Sequence, residues 1–109
     1  MVEKLLRSYL PMSETAYYIL LSLTEVRHGY GIMQDVGELT RGRIHLGAGT
    51  LYGSLSRMEK DGLIAVVLEE ERKKSYQITE TGKLILREEI ARIGELYDNA
   101  KKMEGKLYE

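Results

Sequence analysis

A short helix with a sharp end is specified by residues 46–64, and this feature restricts the fold more than any other part of the chain. Leu51, Leu55 and Met58 recur at intervals of four and three residues, so they share one narrow helix face. Gly62 stands where a C′ glycine ends a helix in the left-handed conformation. We therefore predict a short helix whose apolar stripe points to the core and whose end is set by Gly62.

The opposite side of this helix carries small and basic residues: Gly49, Gly53, Ser56, Arg57 and Lys60. Gly53 lowers helix propensity by about 1 kcal/mol relative to alanine, so a compensating close contact is expected. Either a DNA duplex or another helix approaches Gly53, or Gly53 packs beneath a neighbouring element of its own chain. A face of small residues beside positive charge favours the major groove of DNA.

Further helices are predicted at about residues 2–10, 13–25, 30–39 and 79–103, with a turn at 28–31. Ser13 and Thr79 are suited to cap two of these helices, and each is followed by a glutamate near the positive end of the helix dipole. The helix at 2–10 is too short to be stable alone. We expect it to pack on another element, such as a partner subunit.

Two strands are predicted after the short helix. Residues 63–68 are a β-branched apolar run, and residues 74–78 alternate between polar and apolar side chains. The second strand therefore pairs back on the first through a charged turn at 69–73. Three helices followed by a hairpin indicate a mainly α fold with a small β-hairpin, the winged helix-turn-helix, here extended by a long C-terminal helix.

A heptad-like seam runs along that long helix, with residues spaced by four, three, four and three: Leu86, Ile90, Ile93, Tyr97 and Ala100. We expect this seam to form the contact of a homodimer, although the same seam could pack on its own domain. The predicted division is a DNA-binding winged-helix domain with its N-terminal segment at 1–80 and a dimerisation helix at 81–109.

Composition excludes several classes of protein. A chain of 109 residues without cysteine has room for one core and has no thiol chemistry. His28 and His45 lie far apart without metal-ligand spacing, and neither a catalytic triad nor a phosphate-binding glycine loop is present. We therefore expect no enzyme, no metal and no cofactor.

The N-terminus lacks the apolar core of a signal peptide, and no apolar run is long enough for a membrane span. A cytoplasmic protein with no membrane contact is therefore expected.

The formal net charge of −1 argues against nucleic acid, but the positive charge is concentrated locally. Residues 41–60 carry four basic side chains against one acidic, and Arg72, Lys73 and Lys74 follow one another on the hairpin. These three can contact a DNA backbone or minor groove and supply salt-sensitive affinity. Because Glu69–Glu71 would face the phosphates unless they turn away, the alternative is a solvated hairpin tip.

Five segments resemble motifs of the PadR family of bacterial and archaeal transcriptional regulators. They are Ile19-Leu20-Leu21-Ser22-Leu23, His28-Gly29-Tyr30-Gly31-Ile32, Gly49-Thr50-Leu51-Tyr52 with Leu55, Met58-Glu59-Lys60-Asp61-Gly62-Leu63-Ile64 and Tyr76-Gln77-Ile78-Thr79-Glu80-Thr81-Gly82. The resemblance covers about residues 13–86 and implies a homodimer that binds a palindromic operator in double-stranded DNA, usually as a repressor. With one helix after the winged domain, the chain looks like the short subgroup of the family.

The motif match implies DNA contacts from Thr50, Tyr52 and residues 54–57, and from the basic arm of the hairpin. Together with the outer helix face, the predicted DNA-binding set is Thr50, Tyr52, Gly53, Ser54, Ser56, Arg57, Lys60, Arg72, Lys73 and Lys74. Family members often have Ser-Pro where this chain has Gly47-Ala48, so the N-cap phosphate contact is not carried over. Some members stack planar ligands on tryptophans, which this chain lacks, so no small-molecule effector is assigned.

The alternative function is a winged-helix module that binds protein and not DNA. It is favoured by the near-zero net charge and by the acidic residues of the hairpin turn.

Overall fold

The computed structural model describes residues 2–109, and their secondary structure follows the predicted order. The elements are α1 (Val2–Tyr9), α2 (Glu14–Ser22), β1 (Arg27–His28), α3 (Gly29–Leu39), α4 (Ala48–Lys60), β2 (Ile64–Glu70), β3 (Lys73–Ile78), α5 (Glu80–Met103) and a 3-10 turn at Glu104–Tyr108. The mainly α winged helix-turn-helix with a long C-terminal helix is therefore confirmed.

The end of α4 has the geometry expected from its glycine. Gly62 has a φ of +81°, and its N–H donates to the carbonyl of Glu59 at 3.1 Å. The N–H of Leu63 donates to the carbonyl of Met58 at 2.9 Å. These two bonds define a Schellman motif, which satisfies carbonyls that the helix leaves without partners and turns the chain into β2.

Side-chain caps begin two of the helices as predicted. The Ser13 hydroxyl accepts the N–H of Ala16 at 3.1 Å, and the Thr79 hydroxyl accepts the N–H of Gly82 at the same distance. Thr79 also donates its hydroxyl proton to the carbonyl of Gly62 at 2.6 Å, so the start of α5 is joined to the end of α4.

The sheet has a third strand that the sequence prediction missed. Its order is β1-β3-β2, all antiparallel, with Arg27 opposite Tyr76 and His28 opposite Ser75. The predicted turn at 28–31 is wrong, because His28 pairs in β1 and caps α3, and α3 already begins at Gly29. The helix predicted to reach residue 25 ends at Ser22, where the N–H groups of Leu23 and Thr24 donate to the carbonyls three residues back and close the helix with a tighter turn. The carbonyl of Leu23 accepts the N–H of Ile78 at 2.8 Å.

The hairpin between β2 and β3 turns more tightly than predicted. The strands extend to Glu70 and from Lys73, so the turn consists of Glu71 and Arg72 alone. Their φ angles are +49° and +69°, the signs that a two-residue type I′ turn requires. Val67 forms an irregularity in β2, where the register with β3 shifts. Such a bulge adds local twist to the hairpin, which is called the wing below.

One hydrophobic core joins α2, α3, α4 and the first turns of α5. The apolar stripe of α4 is buried as predicted, with Leu51 at 0%, Leu55 at 1% and Met58 at 2% exposure. A Cβ atom at Gly82 would lie 3.0 Å from the carbonyl carbon of Leu63. Helix α5 therefore begins against the backbone of the residue that precedes β2. This close packing fixes α5 relative to the winged domain.

A buried carboxylate joins α5 to the segment between α1 and α2. Glu89 is 1% exposed, and its carboxylate accepts the backbone N–H of Met12 at 2.9 Å and the guanidinium of Arg92 at 2.6 Å. The hydrogen bond from Arg92 is the main reason that the pKa of Glu89 lies below its ordinary value. Helix α1 also contacts α5, so the short N-terminal helix packs on its own chain.

Candidate nucleic-acid interface

The outer face of α4 is exposed to solvent over most of its length, and α1 lies beside it at Arg57. Within the predicted set on this helix, Ser54 is half-buried and the other side chains are exposed: Thr50, Tyr52, Gly53, Ser56, Arg57 and Lys60. A Cβ atom at Gly49 or at Gly53 would meet nothing within 4 Å. The reading in which Gly53 packs beneath an element of its own chain is therefore wrong. Another molecule can approach the backbone of α4 closely at both glycines.

The first turn of α4 has no side-chain cap. Gly47 occupies the N-cap position with extended backbone and makes no side-chain hydrogen bond. Backbone N–H groups of this turn therefore remain free to donate to a phosphate, which the helix dipole also favours.

Tyr52 extends from α4 across the beginning of α3. Gly29 is buried beneath it, and a Cβ atom at Gly29 would lie only 2.9 Å from Cζ of the Tyr52 ring, with the hydroxyl oxygen closer still. The ring therefore rests on a position where only hydrogen fits, while half of the residue stays exposed. This contact sets the direction in which the Tyr52 hydroxyl is presented.

A cleft of about 560 Å³ separates α4 from the wing. Its walls are formed by residues of β1, α3, α4, β3 and the wing turn: His28, Gly29, Tyr30, Tyr52, Arg72, Lys73, Lys74 and Tyr76. The structure thus brings Tyr52 together with all three basic residues of the wing. The remaining predicted residues lie along α4 outside this cleft.

Four of the cleft residues were not predicted: His28, Gly29, Tyr30 and Tyr76. Tyr76 lies on β3 itself, and the other three reach the cleft because β1 pairs with β3, which brings the beginning of α3 beside the wing. A strand of two residues leaves no periodic pattern in the sequence, so no local signal could have placed them there.

The acidic residues of the wing lie opposite its lysines. Glu69 pairs in register with Lys74, and Glu70 pairs with Lys73 across the two strands. Opposite charges at such positions stabilise a hairpin modestly. The arrangement places acid on β2 and base on β3, and only the β3 side and Arg72 line the cleft.

Arg57 is held by the N-terminal helix. Its guanidinium lies over the ring of Tyr9, 4.4 Å from the centroid, and donates to the Ser8 hydroxyl at 3.2 Å. The Tyr9 hydroxyl donates to the Asp61 carboxylate at 2.7 Å. Burial, followed by this hydrogen bond, raises the pKa of Tyr9 well above its ordinary value, so the residue stays a neutral donor.

Neither a metal site nor a membrane segment is found in the part of the chain that the structure describes. Across residues 2–109, no group of three or more His, Asp or Glu side chains could hold a metal ion. None of the helices within this range is long and apolar enough to cross a membrane.

Comparison with known proteins gives a consistent result. The sequence model of the transcriptional regulator PadR-like family matches residues 9–88. A transcriptional regulator from Clostridium thermocellum is 26% identical, with a TM-score of 0.64 over 97% of this chain and 99% of that chain. No curated protein is significantly similar to the chain.

Two further solved structures carry the family description. A PadR family transcriptional regulator from Eggerthella lenta is 30% identical, with a TM-score of 0.64 over 94% of this chain and 84% of that chain. A PadR-like transcription factor from Bacteroides fragilis is 27% identical, with a TM-score of 0.68 over 94% of this chain and 97% of that chain.

Proposed function

Because the chain belongs to the PadR-like family of transcriptional regulators, we propose that it binds a palindromic operator as a homodimer and represses transcription there. The observation that carries this proposal is the uncovered outer face of α4 beside the basic wing. Helices that read DNA present such a face to the major groove, mainly through their N-terminal half.

The proposed groove contacts come from the hydroxyl side chains of α4. Thr50, Tyr52, Ser54 and Ser56 can bond base edges or phosphates, and the methyl group of Thr50 can contact the methyl group of a thymine. Gly53 lets the helix backbone come near the duplex. Arg57 and Lys60 lie toward the C-terminal end of α4, where they contact the flanking phosphates.

The wing supplies affinity that does not depend on sequence. Arg72, Lys73 and Lys74 are exposed and would lie along the DNA backbone beside the groove that α4 occupies. Each phosphate contact releases condensed counterions, so binding should weaken steeply as the salt concentration rises.

The homodimer proposal rests on the outer half of α5. Ile90 is 46% exposed and Tyr97 is 62% exposed, whereas Leu86 is 5% exposed and packs in the core of its own chain. Leu86 therefore follows the alternative reading of the seam, in which it packs within its own domain. We place the dimer contact at Ile90, Ile93, Tyr97 and Ala100, with 1–80 as the DNA-binding domain and 81–109 as the dimerisation helix.

A titration of the protein with the DNA upstream of its own gene, read by fluorescence anisotropy, tests the function. Wild-type protein should bind that DNA more tightly than unrelated DNA, and Tyr52→Ala and Arg57→Ala should weaken binding. Lys83→Ala is the matched control, since it removes one exposed positive charge from the first turn of α5 and leaves the interface intact. Equal affinities of all variants would contradict the assignment of α4.

Exposed acidic residues on the wing favour a second candidate, a module that binds protein through this domain. Glu69, Glu70 and Glu71 are all exposed, and the net charge of the chain is −1. Failure of the folded dimer to bind any DNA at low salt would favour this second function.

A further inference from the structure

One arginine on the outer face of α4 is held both by α1 and by its own helix. The guanidinium of Arg57 lies over the ring of Tyr9 and donates to the hydroxyl and the carbonyl oxygen of Ser8, at 3.2 and 3.5 Å. Its Nε atom is 3.9 Å from the carboxylate of Asp61, one turn further along the chain. The Arg57 side chain nevertheless remains 58% exposed. It is therefore oriented at the surface while its charge stays available to another molecule.

The tyrosine ring beneath Arg57 is fixed by its own contacts. Tyr9 is 6% exposed and belongs to the hydrophobic core, although it lies at the end of α1. Its hydroxyl donates to the carboxylate of Asp61 at 2.7 Å, and Asp61 is the C-cap residue of α4. The ring is thus joined to α4 through both its face and its hydroxyl. Tyr9 therefore gives the Arg57 guanidinium a rigid surface to rest on.

The segment that follows Tyr9 is fastened to α5. Three residues further on, the N–H of Met12 donates to Oε2 of Glu89 at 2.9 Å. Arg92 donates to both oxygens of the same buried carboxylate, at 2.6 and 2.8 Å, so Glu89 is itself held in one orientation. A contiguous series of contacts thus runs from α5 through Glu89 and the segment 9–12 to Arg57 on α4.

A cavity of about 190 Å³ lies between this segment and α4, and its walls include Tyr9, Pro11, Met12, Ser54 and Arg57. Across this space the side chains are not close-packed, unlike those of a protein interior. Packing against α4 therefore does not by itself fix the segment, and the hydrogen bond from Met12 to Glu89 contributes to its position. A shift of α5 would reach Tyr9 through this hydrogen bond and change the direction of Arg57.

We propose that Tyr9 is a positioning residue for DNA binding, through which α5 sets the direction in which Arg57 meets the duplex. This inference rests on the proposed function, since that function assigns Arg57 a contact with DNA and α5 the dimer contact. An arginine already held in its binding conformation loses little rotamer freedom when it contacts a phosphate. The DNA-binding face is thereby coupled to the dimerisation helix, and a partner or ligand that shifts α5 changes DNA affinity.

Removal of the ring tests the role of Tyr9. Tyr9→Leu leaves an apolar side chain at the buried position but frees Arg57, so DNA affinity measured by fluorescence anisotropy should fall by about fivefold. Tyr9→Phe keeps the ring and should bind within twofold of the wild type. Because Tyr9→Phe also loses the hydrogen bond to Asp61, a merely structural role of Tyr9 would not give this rescue. Circular dichroism verifies that each variant is folded at the assay temperature.

A double-mutant cycle with Arg57→Ala shows whether the effect of Tyr9 passes through Arg57. In the Arg57→Ala background, Tyr9→Leu should change DNA affinity by less than about twofold, since no guanidinium remains to be positioned. An equal loss in both backgrounds would overturn the proposal, because Tyr9 would then act by another route. Wild-type affinity in folded Tyr9→Leu would overturn it as well.

Glu89→Gln tests the connection to α5 in the same cycle. The variant removes the charge that Arg92 holds in place and so loosens the attachment of Met12. DNA affinity should fall by about threefold in the wild-type background and stay nearly constant in the Arg57→Ala background. Glu88→Gln is the matched control, because it removes the same charge from an exposed neighbouring position on α5. Equal effects of the two variants would overturn the role of α5.

The remaining outcomes separate this proposal from the proposed function. Absence of DNA binding by the wild type would overturn both. Unaltered binding by Arg57→Ala would overturn the DNA contact of Arg57, and the positioning role of Tyr9 with it, while a loss in Tyr52→Ala would still support the proposed function.

Discussion

The guanidinium of Arg57 lies over the ring of Tyr9, with its Cζ atom 4.4 Å from the ring centroid. This contact joins the outer face of α4 to α1, and α1 packs in turn on α5. A charge proposed to meet DNA is thus oriented by the N-terminal helix before any DNA is bound. Such an arrangement lowers the side-chain entropy that Arg57 loses on binding.

Tyr9→Phe should separate the contribution of the Tyr9 hydroxyl to stability from that of the ring, which orients Arg57. The ring remains beneath Arg57, but the hydrogen bond to Asp61 is lost, so the free energy of unfolding should fall by about 1 kcal/mol. DNA affinity should change less than twofold. Arg57→Ala should weaken DNA binding and change stability little, since the side chain is more than half exposed. Urea denaturation and anisotropy titrations measure the two effects, and a large loss of DNA affinity in Tyr9→Phe would contradict this division.

Gly53→Ala should move stability and DNA binding in opposite directions. The added methyl group points into open space, so the variant gains about 1 kcal/mol of helix stability. The same methyl group stands between α4 and the duplex, so we expect roughly tenfold weaker binding. Gly37→Ala is a matched control on α3, because a Cβ atom there also meets nothing within 4 Å. Tighter DNA binding by Gly53→Ala would contradict the close approach.

Gly29→Ala should weaken DNA binding through Tyr52. The added methyl group collides with the Tyr52 ring, which must then turn away from the beginning of α3 and toward the cleft. We expect roughly tenfold weaker DNA binding in a protein that still folds, as circular dichroism would verify. Replacement of the ring in Gly29→Ala/Tyr52→Leu removes the collision, so the double variant should bind no worse than Tyr52→Leu. An additive loss in the double variant would contradict this coupling.

Glu89→Gln should lower stability at neutral pH and flatten its dependence on pH. The pKa of Glu89 in the folded chain lies below its ordinary value of 4.5, mainly because of Arg92. The ionised carboxylate therefore stabilises the fold above pH 4.5, and this stabilisation is lost as the pH falls through the lowered pKa. We expect a loss on the order of 2 kcal/mol at pH 7 for the variant.

Urea denaturation at several pH values between 7 and 3 checks this prediction. Glu14→Gln is the control, because the pKa of Glu14 is also lowered by an arginine, Arg43, but that pair is exposed and contributes little. If the free energy of unfolding of Glu89→Gln depended on pH as steeply as that of the wild type, other carboxylates would be shown to dominate the pH dependence of stability.

Ile90→Glu and Tyr97→Glu should convert the proposed dimer into monomers. Both side chains are exposed in the single chain, so the charge should oppose association without unfolding the domain. Leu86→Ala should lower stability by about 3 kcal/mol, as for other core leucines, and leave the dimer intact. Sedimentation equilibrium measures the assembly, and a wild-type monomer at high concentration would contradict the dimer.

Local signals in the sequence predicted the end of α4, the beginnings of α2 and α5 and the presence of the hairpin. The Schellman ending at Gly62 and the caps at Ser13 and Thr79 depend on residues within one turn, so the sequence contains what decides them. The exposed face of α4 was predictable for the same reason, since the opposite stripe is apolar.

Long-range pairing decided the features that were not predicted. Strand β1 exists because Arg27 lies opposite Tyr76, which is distant in the sequence. Leu86 points into the core because of the direction in which α5 continues from β3. Heptad spacing alone does not indicate which residues of the seam pack on the chain's own domain. The unpredicted cleft residues His28 and Tyr30 follow from the same pairing of β1.

Strand β1 has a thermodynamic consequence for recognition. Because two residues tie the beginning of α3 to β3, the wing is part of the folded sheet and is held at a set distance from α4. Binding to DNA would then require little ordering of the protein. The heat-capacity change of binding should therefore reflect only the surface that is buried between protein and DNA. The protein would favour DNA whose groove width already matches the distance between the wing and α4. DNA with another groove width would have to deform on binding.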